Sequence, residues 1–352
     1  MKKVLFATTA LIATAGMAAA DVRLSGYGRF GLDYNEANGA VAGRSETNLT
    51  TRLRVQIDAS TETDGGVKFG ARYRIQGEQR DGVAGAGAIN GARFYVSSGG
   101  FTLGVGNIIG AIEGANGLYL PTSSAGTGID GMGFHSLPTN VGGSYFNWDA
   151  YSSAGAGASN GIEVMYKAGA FSGHLSFSTT NGTAAVAAIP AVTVVDSGGD
   201  TVVLSPAVPA VAATNGRDRL ALNVSYTFGD WTAALAMQDS DTLGEDKIYV
   251  SVQGDLGVAR VMLGYASNKD QNGTVGDDVD KLRLAGAFDL GAATTLVAWV
   301  ANEDNPNAPA TDGTSYGLNV SHDLGGGVTL DGGFVEHSNN NTQFQVGAYF
   351  RF

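Results

Sequence analysis

Hydrophobic and polar residues alternate along most of the chain after residue 21. In the first segment, Val22, Leu24 and Leu32 fall on one face, and Arg23 and Asp33 fall on the other. Strict alternation over several residues is typical of a β-strand with one apolar and one polar face. Sixteen segments of this kind can be read from the sequence, five before residue 108 and eleven after residue 158. The pattern therefore predicts an all-β protein with sixteen strands.

The connections between these segments alternate between short turns and long loops. Short turns are marked by glycine, as at 64–66 and 98–100, and the two longest loops cover 108–158 and 184–214. An even number of strands with short turns at one end and long loops at the other is the pattern of an outer-membrane barrel. A soluble β-sandwich is the alternative, but it rarely needs sixteen strands in series. We therefore expect a 16-stranded antiparallel transmembrane β-barrel, which is wide enough to leave an aqueous channel.

The composition narrows the range of functions. The 352 residues include no cysteine and carry a formal net charge of −12. Without cysteine the chain has no disulfide framework, no thiolate metal site and no cysteine nucleophile. An acidic chain is also a poor match for nucleic acid, because binding phosphates requires a basic surface. No nucleic-acid partner is therefore expected.

The first twenty residues have the pattern of a secretory signal peptide. Lys2 and Lys3 precede an apolar stretch, and the small residues at 18–20 fit a cleavage site. We expect cleavage after Ala20 and export. The remaining residues, 21–352, are expected to form a single barrel domain.

The chain has four further landmarks. It opens after residue 20 with DVRLSGYGRFGLDY, breaks for a long stretch after the fifth strand, resumes with a hairpin around YKAGAFSG, and ends with FQVGAYFRF. With these landmarks, residues 21–352 resemble the general, non-specific porins of Gram-negative bacteria, most closely the alpha-proteobacterial type. The resemblance implies a homotrimer of separate pores with short periplasmic turns and long external loops, set in outer-membrane lipid and lipopolysaccharide. It also implies a third external loop, residues 108–158 here, that folds inward and narrows the channel.

The end of the chain carries a further implication of the resemblance. Phe344, Val346, Phe350 and Phe352 fall on one face of the last strand. In the family, such an ending is the signal that the barrel-assembly machinery reads. The simpler interpretation is a lipid-facing last strand, and both can be true.

Basic residues are concentrated in the first three strands. Ten of the nineteen lysines and arginines after residue 20 lie between residues 21 and 93. The alternation assigns Arg44 and Arg80 to loops and the others to the polar face of the strands. The residues assigned to the polar face are Arg29, Arg52, Arg54, Arg72 and Arg74, with Arg23, Lys68 and Arg93. Rows of charge that face a pore are a common selectivity device, so we predict that they form the basic wall of the constriction.

The predicted hairpin register stacks these arginines at mid-height. It places Arg54 opposite Arg72 and Arg52 opposite Arg74, and it brings Arg29 level with Arg52 or Arg54. Like charges directly across a ladder destabilise it. The arrangement therefore indicates a functional role for the arginines rather than a stabilising one.

The acidic partners of this wall are expected on the inward loop. Its acids are Glu113, Asp130 and Asp149. A basic wall against an acidic loop creates a transverse field, and in the family this field filters solutes by size and polarity.

Further acids lie near the mouth of the channel. Asp277, Asp278 and Asp280 belong to this group. Because the mouth and the wall have opposite signs, we expect only weak ion selectivity. These aspartates are also candidates for weak divalent-cation binding, and no other metal site is expected.

The loop at 184–214 is unusually apolar for an external loop. Its centre reads as a β-hairpin that turns at residues 197–199. A partner-binding surface and low-complexity drift in an unconstrained loop are both open interpretations.

These observations predict an outer-membrane porin through which small hydrophilic solutes and ions diffuse down their gradients, without a catalytic cycle or a cofactor. The alternatives are a substrate-selective channel of the same fold, a barrel hydrolase with a serine and a histidine on its outer wall, and an adhesin or structural barrel with a plugged lumen. A G-x-G-x-x-G spelling at residues 26–31 does not predict a dinucleotide site, because it lies inside an alternating strand.

Overall fold

A computed structural model describes residues 21–80, 82–85, 87–89, 91–133, 137–138, 160–195, 197–309 and 311–352. The predicted signal peptide, residues 1–20, lies outside these ranges. The strands in chain order are β1 (Asp21–Asn35), β2 (Thr47–Glu62), β3 (Lys68–Arg80), β4 (Val83–Ala84), β5 (Ala88–Ile89), β6 (Arg93–Ser98), β7 (Phe101–Gly106), β8 (Asn160–Ala168), β9 (Phe171–Thr180), β10 (Val192–Val195), β11 (Thr201–Ser205), β12 (Arg217–Phe228), β13 (Trp231–Ser240), β14 (Lys247–Asp255), β15 (Arg260–Asn268), β16 (Val279–Asp289), β17 (Thr294–Asp304), β18 (Gly313–Gly325), β19 (Val328–Glu336) and β20 (Thr342–Arg351). A short 3-10 helix spans Glu36–Ala40. Within the described ranges, no helix is long and apolar enough to cross a membrane.

The wall of the molecule is a closed antiparallel sheet. Strand β1 pairs with β2 on one side and with β20 on the other. Strands β4, β5 and β6 are three pieces of one wall strand beside β3, and β10 and β11 pair only with each other. The wall therefore has sixteen strands, as the alternating pattern predicts. Closure gives strands such as β1 a partner on both sides, which matters in lipid because an open sheet edge would expose unpaired backbone groups.

The outside of the barrel is apolar and the inside is polar. On β1, Val22 and Leu24 are 61% and 65% exposed, whereas Arg29 and Asp33 are buried. This reverses the burial pattern of a soluble protein, because the outward side chains face lipid. The two faces follow the period-two assignment made from the sequence, which is thereby confirmed.

The barrel closes where the two chain ends meet, at the end of the barrel that carries the short turns. The Gly26 amide donates to the Phe352 carbonyl at 2.9 Å, and the Phe352 amide donates to the Gly26 carbonyl at 3.2 Å. The Phe350 ring lies over Gly28, where an added Cβ would come within 2.2 Å of a ring atom. A Cβ at Gly31 would come within 2.2 Å of the Val346 carbonyl oxygen. The glycines of the G-x-G-x-x-G spelling thus serve close packing against the last strand.

The apolar loop at 184–214 is a hairpin that continues the wall. Strands β10 and β11 pair around a turn at 197–199, as predicted. Below them, bridges join Thr183 to Thr214 and Val186 to Val211, in the same register as the β9–β12 pair. Several of its large aliphatic side chains, such as Ile189 and Leu204, are exposed.

Candidate pore constriction

The loop after β7 runs inside the barrel, as predicted. Its buried apolar residues pack on the lumen face of the wall in two clusters. In the first, Ile112 and Leu137 lie with Tyr249. In the second, Leu120 and Met132 of the loop lie with wall residues that include Met262, Trp299 and Val335. The loop therefore lines the wall opposite the arginine-rich strands.

The base of the loop is held by Glu163 of β8, which is 1% exposed. Its carboxylate accepts the Arg93 Nε at 2.6 Å and the backbone amides of Ile109 and Gly110 at 3.1 and 3.3 Å. The His174 Nε2 lies 2.9 Å from the same carboxylate. The assignment of Arg93 to the open wall is therefore wrong, because Glu163 holds this guanidinium beneath the loop. Neither Glu163 nor its partner His174 was predicted from the sequence as a site residue.

The middle of the loop is held through its backbone. Arg283 of β16, 2% exposed, donates to the carbonyls of Gly117 and Leu118 at 2.7 and 2.8 Å. Further along, the Gly128 amide donates to the Asn319 Oδ1 at 2.7 Å. These contacts involve wall residues far away in sequence, and nothing local to the loop signals them.

The tip of the loop reaches the basic wall at Asp130. Its carboxylate is paired with Arg29 and accepts the Thr50 hydroxyl. Its backbone amide donates to the Gln345 Oε1 at 2.8 Å. The Arg80 Nε lies 3.9 Å from the same carboxylate. The structure therefore joins Asp130 to Arg29, and it moves Arg80 from a loop to the end of β3 beside the constriction.

The register between β2 and β3 differs from the predicted one. Arg52 pairs with Glu78 and Arg72 with Asp58, instead of arginine with arginine. The two ion pairs are close, with the Arg72 Nε 2.7 Å from the Asp58 Oδ1 and the Arg52 Nε 2.6 Å from the Glu78 Oε2. The hairpin turns about Gly65, two residues later than predicted, and this shift moves every partner by four positions.

Between these ion pairs lie two positions of the ladder at which an arginine faces a glutamine. The Arg54 Nε donates to the Gln76 Oε1 at 2.7 Å, and the Arg74 Nε donates to the Gln56 Oε1 at 2.8 Å. The expected level of Arg29 is confirmed, since it lies opposite Arg52. The sequence did carry a signal for these partners, because residues 52–58 (RLRVQID) and 72–78 (RYRIQGE) share one pattern.

Two predicted wall residues lie on the turn side of the wall, and both basic side chains are exposed. Lys68 is level with Glu62, next to the turn, and therefore belongs to the turn-end mouth of the barrel. Arg23 is level with Asp58, at the same height as the Arg72–Asp58 ion pair.

The other two predicted loop acids have different outcomes. Glu113 accepts a hydrogen bond from the Tyr119 hydroxyl within the loop itself. Asp149 lies outside the described residues. Of the described loop acids, Asp130 reaches the basic wall, at Arg29.

The acids at the loop end do not converge. Asp277 accepts hydrogen bonds from Asn272 and Asn307, and Asp278 accepts the backbone amide of Asp270. Within the described residues, no cluster of three or more carboxylates and histidines is arranged to hold a metal ion. The prediction of weak divalent binding, which included Asp280, thus has no preformed site in that part of the chain.

Comparison with known proteins gives consistent results. Residues 7–342 match the Gram-negative porin family. The chain is 36% identical over 159 residues to a curated porin of Fuscovulum blasticum, a match that covers 45% of this chain and 51% of that protein. The match therefore spans about half the length of that relative.

Solved porin structures share the whole fold. A triple mutant of Rhodopseudomonas blastica porin superposes with a TM-score of 0.69 at 26% identity, covering 94% of this chain and 100% of that one. A second mutant of the same porin gives a TM-score of 0.68 at 27% identity, with the same coverage. The closed barrel and the family match support an outer-membrane location. The chain belongs to the Gram-negative porin family.

Proposed function

We propose that this protein is an outer-membrane porin, an aqueous channel for the passive diffusion of small hydrophilic solutes and ions. The observation that carries the proposal is the contact between Asp130 and Arg29 at the tip of the inward loop. It fixes a loop across the inside of a closed sixteen-stranded barrel at mid-height. A loop pinned there narrows an open channel and sets its size limit.

The constriction acts as a filter of size and polarity. Within the described residues, its charged groups are the arginines Arg29, Arg52, Arg54, Arg72, Arg74 and Arg80 and the carboxylates Asp58, Glu78 and Asp130. Positive charge prevails at the wall, while ion pairing within β2 and β3 neutralises part of it. The mouth at the long-loop end carries the acids described above, so its charge is opposite in sign to that of the wall. The net ion selectivity is therefore weak.

Single-channel recording in a planar bilayer with a salt gradient tests this proposal. Purified protein should produce large conductance steps with a small reversal potential, as expected for an open aqueous pore. Replacing Arg52, Arg54, Arg72 and Arg74 together by glutamine should shift the reversal potential towards cation selectivity. Absence of conductance would exclude the channel, and an unchanged reversal potential would contradict the assignment of the wall.

We also propose that the mature protein begins after residue 20 and assembles as a homotrimer in outer-membrane lipid and lipopolysaccharide. The apolar outer face, with side chains such as Leu24 exposed, suits contact with lipid or with other copies. In a trimer of separate pores, channels inserted together should close in three equal steps. Steps that always occur singly would contradict the trimer.

The last strand acts as the assembly signal in this proposal. Phe352 closes the sheet against Gly26, and Phe344, Val346 and Phe350 lie on the outer face with it. Deleting Phe352 should lower the amount of barrel in the membrane more than it lowers refolding in detergent. Equal losses in both assays would show a purely structural role, and normal membrane levels would contradict the signal.

A further inference from the structure

The hairpin between β9 and β12, residues 183–214, has a backbone repeat that differs from that of the wall. Its bridges join Thr183 to Thr214, Val186 to Val211 and Ile189 to Val208. Each bridge consists of two reciprocal backbone hydrogen bonds of 2.9 or 3.0 Å. In a regular antiparallel pair, such doubly bonded pairs recur at every second residue. Here they recur at every third residue, so the hairpin is not a simple extension of the alternating pattern.

This repeat gathers the large aliphatic side chains on one face. An extended chain with three residues per turn returns to the same orientation at every third residue, so the side chains of the bridged residues share a face. The pair Val192–Ser205 continues the interval. All positions between the bridged ones, from 183 to 192 and from 205 to 214, are alanine or proline. The aliphatic stripe on the shared face consists of Val186, Ile189, Val192, Val208 and Val211, which are 47% to 57% exposed.

The prolines of the hairpin leave this face, rather than the edges, for docking. Pro190, Pro206 and Pro209 each directly follow a bridged residue. Because proline has no backbone N–H, it fits where no bridge needs a donor, and it also hinders the addition of another strand along an edge. The surface offered to a partner is therefore the aliphatic stripe.

The stripe lies beyond the lipid. Strand β9 has 10 residues and ends at Thr180, and roughly 9–11 residues of a tilted strand cross the hydrocarbon core. The hairpin begins after this strand on the long-loop side, so it projects into water. The charged residues of the segment 183–214 are Asp196 and Asp200, both near its turn. An uncharged aliphatic surface of this extent in water marks a contact with another molecule.

The size of the stripe favours a partner that is held in the same membrane. The arm from Thr183 to Val195 is about 40 Å long at ~3.3 Å per residue, and two strands ~4.8 Å apart occupy a width of about 10 Å. One face therefore offers about 400 Å², and two such faces bury about 800 Å², less than the roughly 1,200 Å² of a specific complex between free proteins. A second barrel in the same membrane is already confined and oriented, which raises its effective concentration.

We propose that the aliphatic stripe packs against the same stripe of a second copy of this chain. Two-fold symmetry, which is usual for a contact between identical chains, places Ile189 of one copy opposite Val208 of the second copy at the same height above the membrane. The two stripes meet without burying a charge. This contact goes beyond the proposed channel function and is separate from any contact between barrel walls.

Chemical cross-linking tests the contact, and the chain has no cysteine, so single-cysteine variants are unambiguous. Ile189→Cys places a thiol on the stripe, and Ala188→Cys, the matched control, places one beside the stripe. Because packed sheets lie ~10 Å apart, a short bifunctional maleimide is used instead of direct disulfide formation. In isolated outer membranes, we expect about fivefold or more linked dimer from Ile189→Cys than from Ala188→Cys, because the stripe faces the second copy.

A second set of variants keeps the thiol of Ile189→Cys and changes the charge of the face. Adding Val186→Lys with Val211→Lys should lower the yield of linked dimer about fivefold or more, because like charges then oppose each other across the contact. Adding Ala185→Lys with Ala212→Lys places the same charge off the stripe and should leave the yield within about twofold. The melting temperature of the barrel shows whether each variant is folded.

Each outcome supports or overturns the proposal. Preferred linking at Ile189→Cys that the stripe lysines abolish supports the contact. Equal linking of Ile189→Cys and Ala188→Cys shows random collision and overturns it, and so does the absence of linking at both. If Ile189→Cys does not link but reacts more slowly than Ala188→Cys with a soluble maleimide, lipid or a different partner covers the stripe, and the second copy is wrong. Linking at the stripe in a protein without conductance keeps the contact and refutes the channel.

Discussion

Asp130 joins the tip of the inward loop to the wall, and its replacement by asparagine tests how the constriction is held. The side chains of Arg29 and Asp130 are only 2% and 8% exposed. Asparagine keeps the shape and an acceptor for the Thr50 hydroxyl, but it leaves the Arg29 guanidinium buried without its counter-ion. Removing one partner of a buried ion pair costs about 3–5 kcal/mol.

The structure sets where in this range the effect should fall. Two other hydrogen bonds hold the tip, from the Asp130 amide to Gln345 at 2.8 Å and from the Gly128 amide to Asn319 at 2.7 Å. Because these bonds survive the substitution, we expect the lower end of the range. An energy near 3 kcal/mol corresponds to roughly a hundredfold increase in the open fraction of the tip.

Hydrogen exchange read by mass spectrometry measures this opening directly. In Asp130→Asn, the hydrogen-bonded amides of Thr127, Gly128 and Met132 should exchange roughly a hundredfold faster than in the native protein. The amides of Ile109 and Gly110 should keep their native rates, because the separate Glu163 network holds them. They provide the control within the same molecule.

A second variant examines the physical cause. Adding Arg29→Gln to Asp130→Asn removes both charges, so no buried cation remains uncompensated. The double variant should therefore exchange more slowly at the tip than Asp130→Asn alone. Native exchange rates in Asp130→Asn, or faster exchange in the double variant than in the single one, would refute the reasoning.

Three further predictions concern other parts of the molecule. Glu163→Gln should cost about 3–5 kcal/mol at the base of the loop, because it leaves Arg93 buried without a carboxylate, and hydrogen exchange there should speed up while the tip is unchanged. Burial raises the pKa of Glu245, but the hydrogen bond from Arg219 and the neighbouring positive charge outweigh burial and lower the pKa below its ordinary value of 4.5. This contribution is present above pH 4.5 and is lost as the pH falls through the lowered pKa, so a thermal-melting series should show an acid destabilisation that Glu245→Gln lacks. Replacing residues 184–213 by an Asn-Gly turn should leave conductance and melting temperature unchanged, because β10 and β11 pair only with each other; a lower melting temperature would show that the hairpin supports the barrel.

The number of strands and their two faces could be read from the sequence because lipid and water impose a local rule. Each side chain of a wall strand faces either the bilayer or the lumen, and the assignment alternates with every residue. Leu24 and Arg29 therefore show their orientation through their own chemistry and position. The predicted direction of the third loop also held, but it came from the resemblance to the family.

The pairing of charges could not be read in the same way. The predicted β2–β3 register was displaced by four positions, and an even displacement leaves every side chain on its correct face. The alternating pattern therefore cannot reveal this error, although the predicted register put Arg74 where the structure has Glu78, the ion-pair partner of Arg52. The opposite charges at Asp58 and Glu78 would have favoured the correct register, because ion pairs across a ladder are more stable than repelling arginines.

The sequence by itself determined the barrel, its strand count and the side of the sheet on which each charge lies, since these follow from a two-residue period. Only the tertiary structure decided which charges meet. The contacts of Asp130 with Arg29, of Arg283 with Gly117 and of Glu163 with His174 join separate segments. They depend on how closed strands and a buried loop share one lumen. No local pattern records that arrangement, because it arises from barrel closure and from the need to give each buried polar group a partner.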